Sequence, residues 1–152
     1  MPSLVKEMIS NAENGIPLSS IKVSRFSPTE IRLAIKSLMD EERDSLAYAL
    51  GDAGLALYPE SEDILAVTSL LSVIKEDWTQ AIDLLKQLLD IQGDRSTVFT
   101  YSMLIRSLRC NLDLAEAFEV AGIALNKFPS HPELLTEYDA LAEVLGLCAV
   151  KR

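Results

Sequence analysis

The chain has 152 residues and a formal net charge of -9 at pH 7, and 49% of its residues are hydrophobic. This length and apolar fraction suit one globular domain with a substantial core. The surplus of acidic residues argues against a general nucleic-acid binder, because such proteins need Lys and Arg to neutralise phosphates. Cys110 and Cys148 lie far apart and form no CxxC pair, which favours a reducing compartment.

Residues 1–27 are predicted to form a short helix followed by an arm or linker. The first segment, MPSLVKEMISNAENG, carries charges throughout and does not have the pattern of a secretory signal. Residues 15–28 contain Lys22 and Arg25 and no acid. This arm either docks on the rest of the chain or is a mobile linker. The longest apolar run, residues 64–74, is too short to span a bilayer, so we expect a soluble, cytoplasmic protein.

Helical periodicity dominates from residue 28 onward. The first helix of this region is predicted over residues 29–39 and is opened by the sequence SPTE. There Ser27 is expected to cap the helix, Pro28 to take its first position and Glu30 to complete a capping box. The acidic run DEERD, residues 40–44, is predicted to open the following helix, where acids suit the helix dipole.

Further helices are predicted over residues 62–74 and 97–109. Between them, DWTQAIDLLKQLLD (residues 77–90) has a broad apolar arc, which indicates a helix buried on two sides. A last helix is predicted after the sequence SHPE. Ser130 and Glu133 are expected to form a second capping box there, and Gly146 to end the helix.

The second helices of the chain repeat one another. The segments AYALGDAGLALYP (47–59) and AFEVAGIALNKFP (117–129) align without gaps, with alanine first and proline last. Ala81 takes the alanine place in the segment between them, 34 residues after the first alanine and 36 before the last. A small residue at a helix crossing lets two backbones approach, whereas a larger one would overpack the contact. We expect Gly51 and Gly54 to serve the same purpose.

This pattern resembles the tetratricopeptide repeat (TPR) family, whose helix–turn–helix unit has 34 residues. The family's alanine, second small residue and closing proline are matched by Ala47, Ala81, Ala117, Gly54, Ala124, Pro59 and Pro129. The chain departs from the family in the first helices, where the expected glycine is Ile35, Ser69 or Ile105.

The resemblance implies an all-α, right-handed α-α superhelix of about three helix pairs with a C-terminal capping helix. The implied boundaries are a leading segment at 1–27, repeats at 28–61, 62–97 and 98–131, a capping helix at 132–147 and a tail at 148–152.

The resemblance also implies a concave groove lined by the first helices. The residues expected there are Arg32, Lys36, Ala66, Leu70, Val73, Ile74, Phe99, Ser102, Arg106 and Arg109. The acids are expected on the second helices, facing outward, at Glu41, Glu42, Asp44, Asp52, Asp77, Asp83, Asp113, Glu116 and Glu119. A groove that is apolar in the middle and basic at both ends would attract a peptide with apolar and acidic character. In the alternative interpretation, the arginines pair with local acids or cover apolar surface.

The sequence contains no catalytic or cofactor-binding motif. His131, the single histidine, is expected in an exposed loop, and both cysteines are expected to be buried or half-buried. We therefore predict a non-enzymatic interaction module with no cofactor, no metal, no nucleic-acid partner and no membrane insertion.

Two functions fit such a module. In size, charge and repeat number the chain is similar to the small TPR chaperones of bacterial type III secretion, which hold a secreted protein in the cytoplasm. The alternative is a structural or assembly adaptor that self-associates, for example as a homodimer, through its terminal helices. Its dimer patch would be formed by Leu141, Val144, Leu145 and Leu147.

Overall fold

The computed structural model describes residues 3–15 and 23–146. These residues form eight α-helices and two short 3₁₀ turns, Val23–Arg25 and Gly93–Arg95, and no β-strand. The helices are α1 (Ser3–Glu13), α2 (Pro28–Asp40), α3 (Asp44–Leu57), α4 (Glu62–Ile74), α5 (Trp78–Gln92), α6 (Val98–Cys110), α7 (Leu114–Lys127) and α8 (Pro132–Val144).

The chain divides into two compact units, Met1–Lys75 and Glu76–Arg152. In unit 1, α1 packs on α2, and α2, α3 and α4 pack on one another. In unit 2, α6 packs against α5 and α7, and α8 packs against α7. The division falls between the two helices of the second predicted repeat.

The predicted capping box at the start of α2 is confirmed. The Glu30 N–H donates to Ser27 Oγ at 3.1 Å, and the Ser27 N–H donates to Glu30 Oε1 at 2.9 Å. The second predicted box is wrong: α8 begins with His131 as its N-cap, and no side chain caps it. The reason is the position of proline. In SPTE the proline follows the serine directly, but in SHPE it comes one residue later, so Pro132 opens the helix with histidine before it.

The stability contributed by the Ser27 cap can be measured by comparing Ser27 with Ser130, a serine that does not cap its helix. Ser27→Ala should lower the free energy of unfolding by about 1 kcal/mol, because the Glu30 N–H loses its acceptor. Ser130→Ala removes the same hydroxyl from a serine that does not cap α8 and should leave stability unchanged. Urea unfolding followed by circular dichroism measures both variants. Equal losses in the two would contradict the capping role of Ser27.

The turns that follow the first helices share one backbone feature. Glu42, Glu76 and Leu112 have φ values of 59°, 60° and 64°, in the left-handed region that non-glycine residues seldom adopt. These residues are spaced 34 and 36 residues apart, the same spacings as the recurring alanines. The repeat read from side chains therefore also exists in the backbone.

These turns correct the placement of the acidic run DEERD. Asp40 ends α2 and the Arg43 N–H bonds back to the Leu38 carbonyl at 2.8 Å, so residues 41–43 form a turn rather than the start of a helix. Only Asp44 lies in the first turn of α3. Glu41 and Glu42 are therefore not on a second helix, as the sequence had suggested.

Small residues permit close helix crossings in unit 1. A Cβ atom added at Gly51 would lie 3.0 Å from Leu71 Cδ1, and one added at Gly54 would lie 3.2 Å from Ile31 Cγ2 and 3.3 Å from Ile64 Cδ1. Ala47 on the same helix is fully buried. The predicted role of these small residues is confirmed.

The broad apolar arc of α5, in unit 2, is confirmed, with two departures in detail. The buried positions of this helix are Ala81, Ile82, Leu84, Leu85 and Leu88. The arc extends to Leu84, and Trp78, at the start of the helix, is only half-buried.

The loop between α5 and α6 contains the two extra residues of the second repeat. Lys127 on α7 forms hydrogen bonds with this loop. Its Nζ donates to the Asp94 carbonyl at 2.7 Å, the Ser96 hydroxyl at 2.7 Å and the Gly93 carbonyl at 3.3 Å. A single cation thus satisfies several oxygens of a loop that departs from the regular repeat length.

The described end of the arm at residues 15–28 packs on unit 1. Val23 is buried, Arg25 pairs with Glu7 at 3.0 Å, and the Tyr58 hydroxyl donates to the Phe26 carbonyl at 2.7 Å. Residues 16–22 of the arm lie outside the described residues. So do Leu147, Cys148 and the rest of the predicted tail.

Candidate functional site

The first candidate surface, the unit 1 face, is formed by the outward sides of α2 and α4. The inward side of α2 is fixed by a regular apolar pattern, which buries Ile31, Ala34, Ile35 and Leu38. The unit 1 face consists of the exposed or half-exposed residues Arg32, Leu33, Lys36, Ala66, Leu70 and Ile74.

The unit 1 face differs at two positions from the set of residues that the sequence predicted. Val73 was expected in the groove, but only 6% of its surface is exposed, so we do not include it in the face. Leu33 was not expected there, yet it is exposed. Ile74, with 49% of its surface exposed, is the most accessible large apolar residue of the face.

Both cations of the unit 1 face have acidic partners within the unit. Arg32 Nε lies 3.2 Å from Asp63 Oδ1, and Lys36 Nζ lies 3.3 Å from Asp40 Oδ2. This agrees with the alternative interpretation, in which basic residues pair locally. The unit 1 face therefore presents apolar side chains together with paired charges.

The second candidate surface, the unit 2 face, lies on the outward side of α6. Burial of Leu104, Ile105 and Leu108 turns the opposite side of the helix outward. The unit 2 face consists of Phe99, Ser102, Arg106, Arg109 and Cys110. Phe99 has 51% of its surface exposed, a large value for an aromatic residue.

Cys110 belongs to the unit 2 face, although the sequence did not predict it there. The residue is exposed and carries a free thiol, whereas it was expected to be buried or half-buried. It lies four positions after Arg106 and so on the same side of α6. The helical spacing was a signal that could have placed it there.

The two arginines of the unit 2 face are in different electrostatic situations. Arg109 Nη2 lies 3.4 Å from Glu137 Oε1 on α8. Arg106 has neither an ion-pair nor a hydrogen-bond partner within residues 3–15 and 23–146. Since α6 contains no acid from Val98 to Cys110, one cation of this face is available to a ligand.

The described residues offer little for catalysis. They include no group of three or more His, Cys, Asp and Glu side chains that could hold a metal. His131 is half-buried rather than exposed, and it forms the N-cap of α8. Lys86 lies 2.6 Å from Glu116, and the hydrogen bond with this carboxylate raises the pKa of the lysine. Both side chains are half-exposed, as is usual for a surface ion pair.

The helix pairs, the recurring buried alanines and the repeated turns define an all-α helical-repeat protein of the TPR-like type. The predicted fold class is thereby confirmed. Among residues 3–15 and 23–146, none of the helices has the length and apolar character needed to cross a membrane.

Solved structures of MamA, a TPR-fold protein, share this fold. MamA AMB-1 has a TM-score of 0.71 and 16% sequence identity, with 95% of this chain and 88% of that chain covered. MamA MSR-1 has the same TM-score and identity and covers 94% of this chain and 85% of that one. A MamA RS-1 double mutant gives a TM-score of 0.71 at 12% identity, over 94% and 83% of the two chains.

No protein-family model matches the chain, and no curated protein matches it. At identities of 12–16% the structural similarity shows the fold alone. The three structures are all of MamA, so they add nothing to the resemblance with type III secretion chaperones.

Proposed function

We propose that this chain is a non-enzymatic module that binds an apolar and acidic peptide segment of a partner protein through the unit 2 face. The observation that carries the proposal is the unpaired Arg106, which lies on the same side of α6 as the exposed Phe99, about two helical turns away. A chain with a net charge of -9 keeps an isolated cation on the same side of a helix as a large apolar side chain. Such a combination favours an apolar anchor followed by a carboxylate.

The exposed apolar side chains of unit 1 support the same function. Leu33, Leu70 and Ile74 lie on the outward sides of α2 and α4, and the nearby cations are already neutralised. Apolar surface on first helices is suited to shielding the apolar part of a partner. In this proposal the protein works in the cytoplasm, in agreement with the free thiol of Cys110.

Peptide binding can be measured by the fluorescence anisotropy of a dye attached to the peptide, which leaves the unit 2 face unmodified. The probes are two short amphipathic peptides with blocked ends, one with leucine and glutamate and one with glutamine in place of glutamate. We expect the glutamate peptide to bind more tightly. Arg106→Glu should weaken that binding by about fivefold or more, as expected for about 1 kcal/mol at an exposed charge.

The matched control is Lys6→Glu, which changes the net charge equally at an exposed position of α1. It should leave the affinity unchanged, and circular dichroism should show that both variants remain folded. Equal binding of the two peptides, or equal weakening by the two variants, would show that Arg106 does not select the ligand. Absence of binding to either peptide would refute the proposed function.

A secretion-chaperone role is a narrower form of this proposal, supported by size, charge and repeat number. It requires a partner whose apolar segment is kept soluble by the protein.

The second candidate function is an assembly adaptor, favoured by one observation: Val144, at the end of α8, has 67% of its surface exposed. Val144→Glu should abolish self-association in sedimentation experiments if α8 is the contact, and a monomeric wild-type protein would refute the adaptor.

A further inference from the structure

The unit 2 face already holds a carboxylate of the chain itself. Glu137 reaches from α8 to Arg109 on α6, with 3.4 Å between its Oε1 and Nη2 of the arginine. Its second oxygen, Oε2, is buried and has no hydrogen-bond partner within the described residues. The carboxylate is therefore incompletely satisfied, although it occupies the position in which an acidic ligand would meet this arginine.

The neighbouring arginine on this face, Arg106, is not occupied by a carboxylate of the described residues. Arg106 lies three positions before Arg109 on α6, about one helical turn away, and has no partner in the described part of the chain. The hydroxyl oxygen of Ser102, on the same side of the helix, is buried and has no hydrogen-bond partner there either. The face thus contains one arginine that is occupied from within and one that is open.

We propose that Glu137 is an internal competitor that sets the affinity of the unit 2 face for acidic partners. It holds Arg109 in the way that an acidic side chain of the partner would, so the partner gains Arg106 freely and must displace Glu137 to gain Arg109. The inference rests on the proposed function, because it specifies what limits binding at that same face.

The occupant that fits is a segment with two acidic side chains about one helical turn apart and an apolar side chain about 10 Å from the nearer of them. The two carboxylates would match Arg106 and Arg109, and the apolar group would match Phe99. Charge complementarity supports this choice, since α6 itself contributes no acid. A lysine-rich or uncharged segment would leave Arg106 without a counter-ion and would not displace Glu137.

The test compares Glu137→Gln with Glu143→Gln in the full-length chain. Both variants remove one negative charge from α8, but Glu143 is exposed and pairs with no described residue. The probes are the blocked glutamate and glutamine peptides, and the affinities are measured at low and high salt. Glu137→Gln should raise the affinity for the glutamate peptide by about two- to fivefold, the equivalent of a surface ion pair. The affinity of this variant for the glutamate peptide should also fall more steeply with salt concentration, because a second arginine takes part in binding.

Further variants separate the possible outcomes. The gain should vanish in Glu137→Gln combined with Arg109→Gln, and should not occur with the glutamine peptide. Glu137→Ala gives the same readout if the glutamine variant alters the melting temperature. Equal gains in the Glu137 and Glu143 variants would reveal a general charge effect and overturn the inference. Peptide binding by the wild type with no gain in the Glu137 variants would overturn the inference alone, whereas failure of every variant to bind would overturn the proposed function with it.

Discussion

Leu50→Ala should lower the free energy of unfolding by about 2–5 kcal/mol, the usual range for a fully buried leucine. Leu50 lies on α3 with none of its surface exposed, within a cluster that also includes Ile31, Leu38 and Ile64. Replacing its isobutyl side chain by a methyl group takes apolar surface out of the core and leaves a cavity that rigid helices only partly fill. Small proteins have about 5–15 kcal/mol of stability in total, so the loss should be evident in urea unfolding.

The same helix supplies the control for this prediction. Leu57 is exposed at the end of α3, and Leu57→Ala removes the same atoms from a place where water already reaches them. Its effect should be within about 0.5 kcal/mol. If the two leucines proved equivalent, α3 would not face the core as described, and the burial that orients α2 and its outward side would have to be abandoned.

The sequence could predict the helices and their repeat because these depend on local and periodic features. The capping box at Ser27 requires only residues within one turn. The places of Ala47, Ala81 and Ala117 recur, and each is fully buried. The recurring small residues in the sequence were therefore sufficient to predict where helices cross closely.

Errors arose where one residue of register decided the outcome. The serine of SHPE is one residue too early to cap α8, because the proline determines which residue opens the helix. In DEERD, the left-handed backbone of Glu42 ends α2 and moves the start of α3 to Asp44. Neither effect changes the number of helices. The first changes the N-cap residue of α8, and the second changes which acids lie at the start of α3.

The charge state of the two faces was the least predictable feature. The pairing of Lys36 with Asp40 could be read from the sequence, since these residues are four apart on one helix. The pairs Arg32–Asp63 and Arg109–Glu137 join different helices, and a helical frame for single segments does not determine which side chains meet across them. For that reason the sequence predicted four basic residues in the groove, whereas only Arg106 has no partner within the described residues.

Gly54→Leu should lower the free energy of unfolding by about 1–3 kcal/mol, although leucine is intrinsically the better helix former. A Cβ atom at this position would already lie 3.2 Å from Ile31 and 3.3 Å from Ile64, closer than ordinary van der Waals contacts. The remaining atoms of leucine would have to displace the methyl groups of both isoleucines, each of which is fully buried. Steric cost should therefore exceed the gain in helix propensity, which is about 1 kcal/mol.

Gly122→Ala on α7 provides the opposite case. A Cβ atom there would lie 3.7 Å from Tyr138 Cε2, an ordinary contact, so the helix-propensity term should prevail and raise stability by about 0.5–1 kcal/mol. Urea unfolding of both variants gives the two signs directly. If the leucine variant were as stable as the wild type, α3 would not approach α2 and α4 as closely as the glycine contacts require. The small-residue explanation of the repeat would then fail at the position where it is most specific, because ordinary helix packing would accommodate a large side chain there.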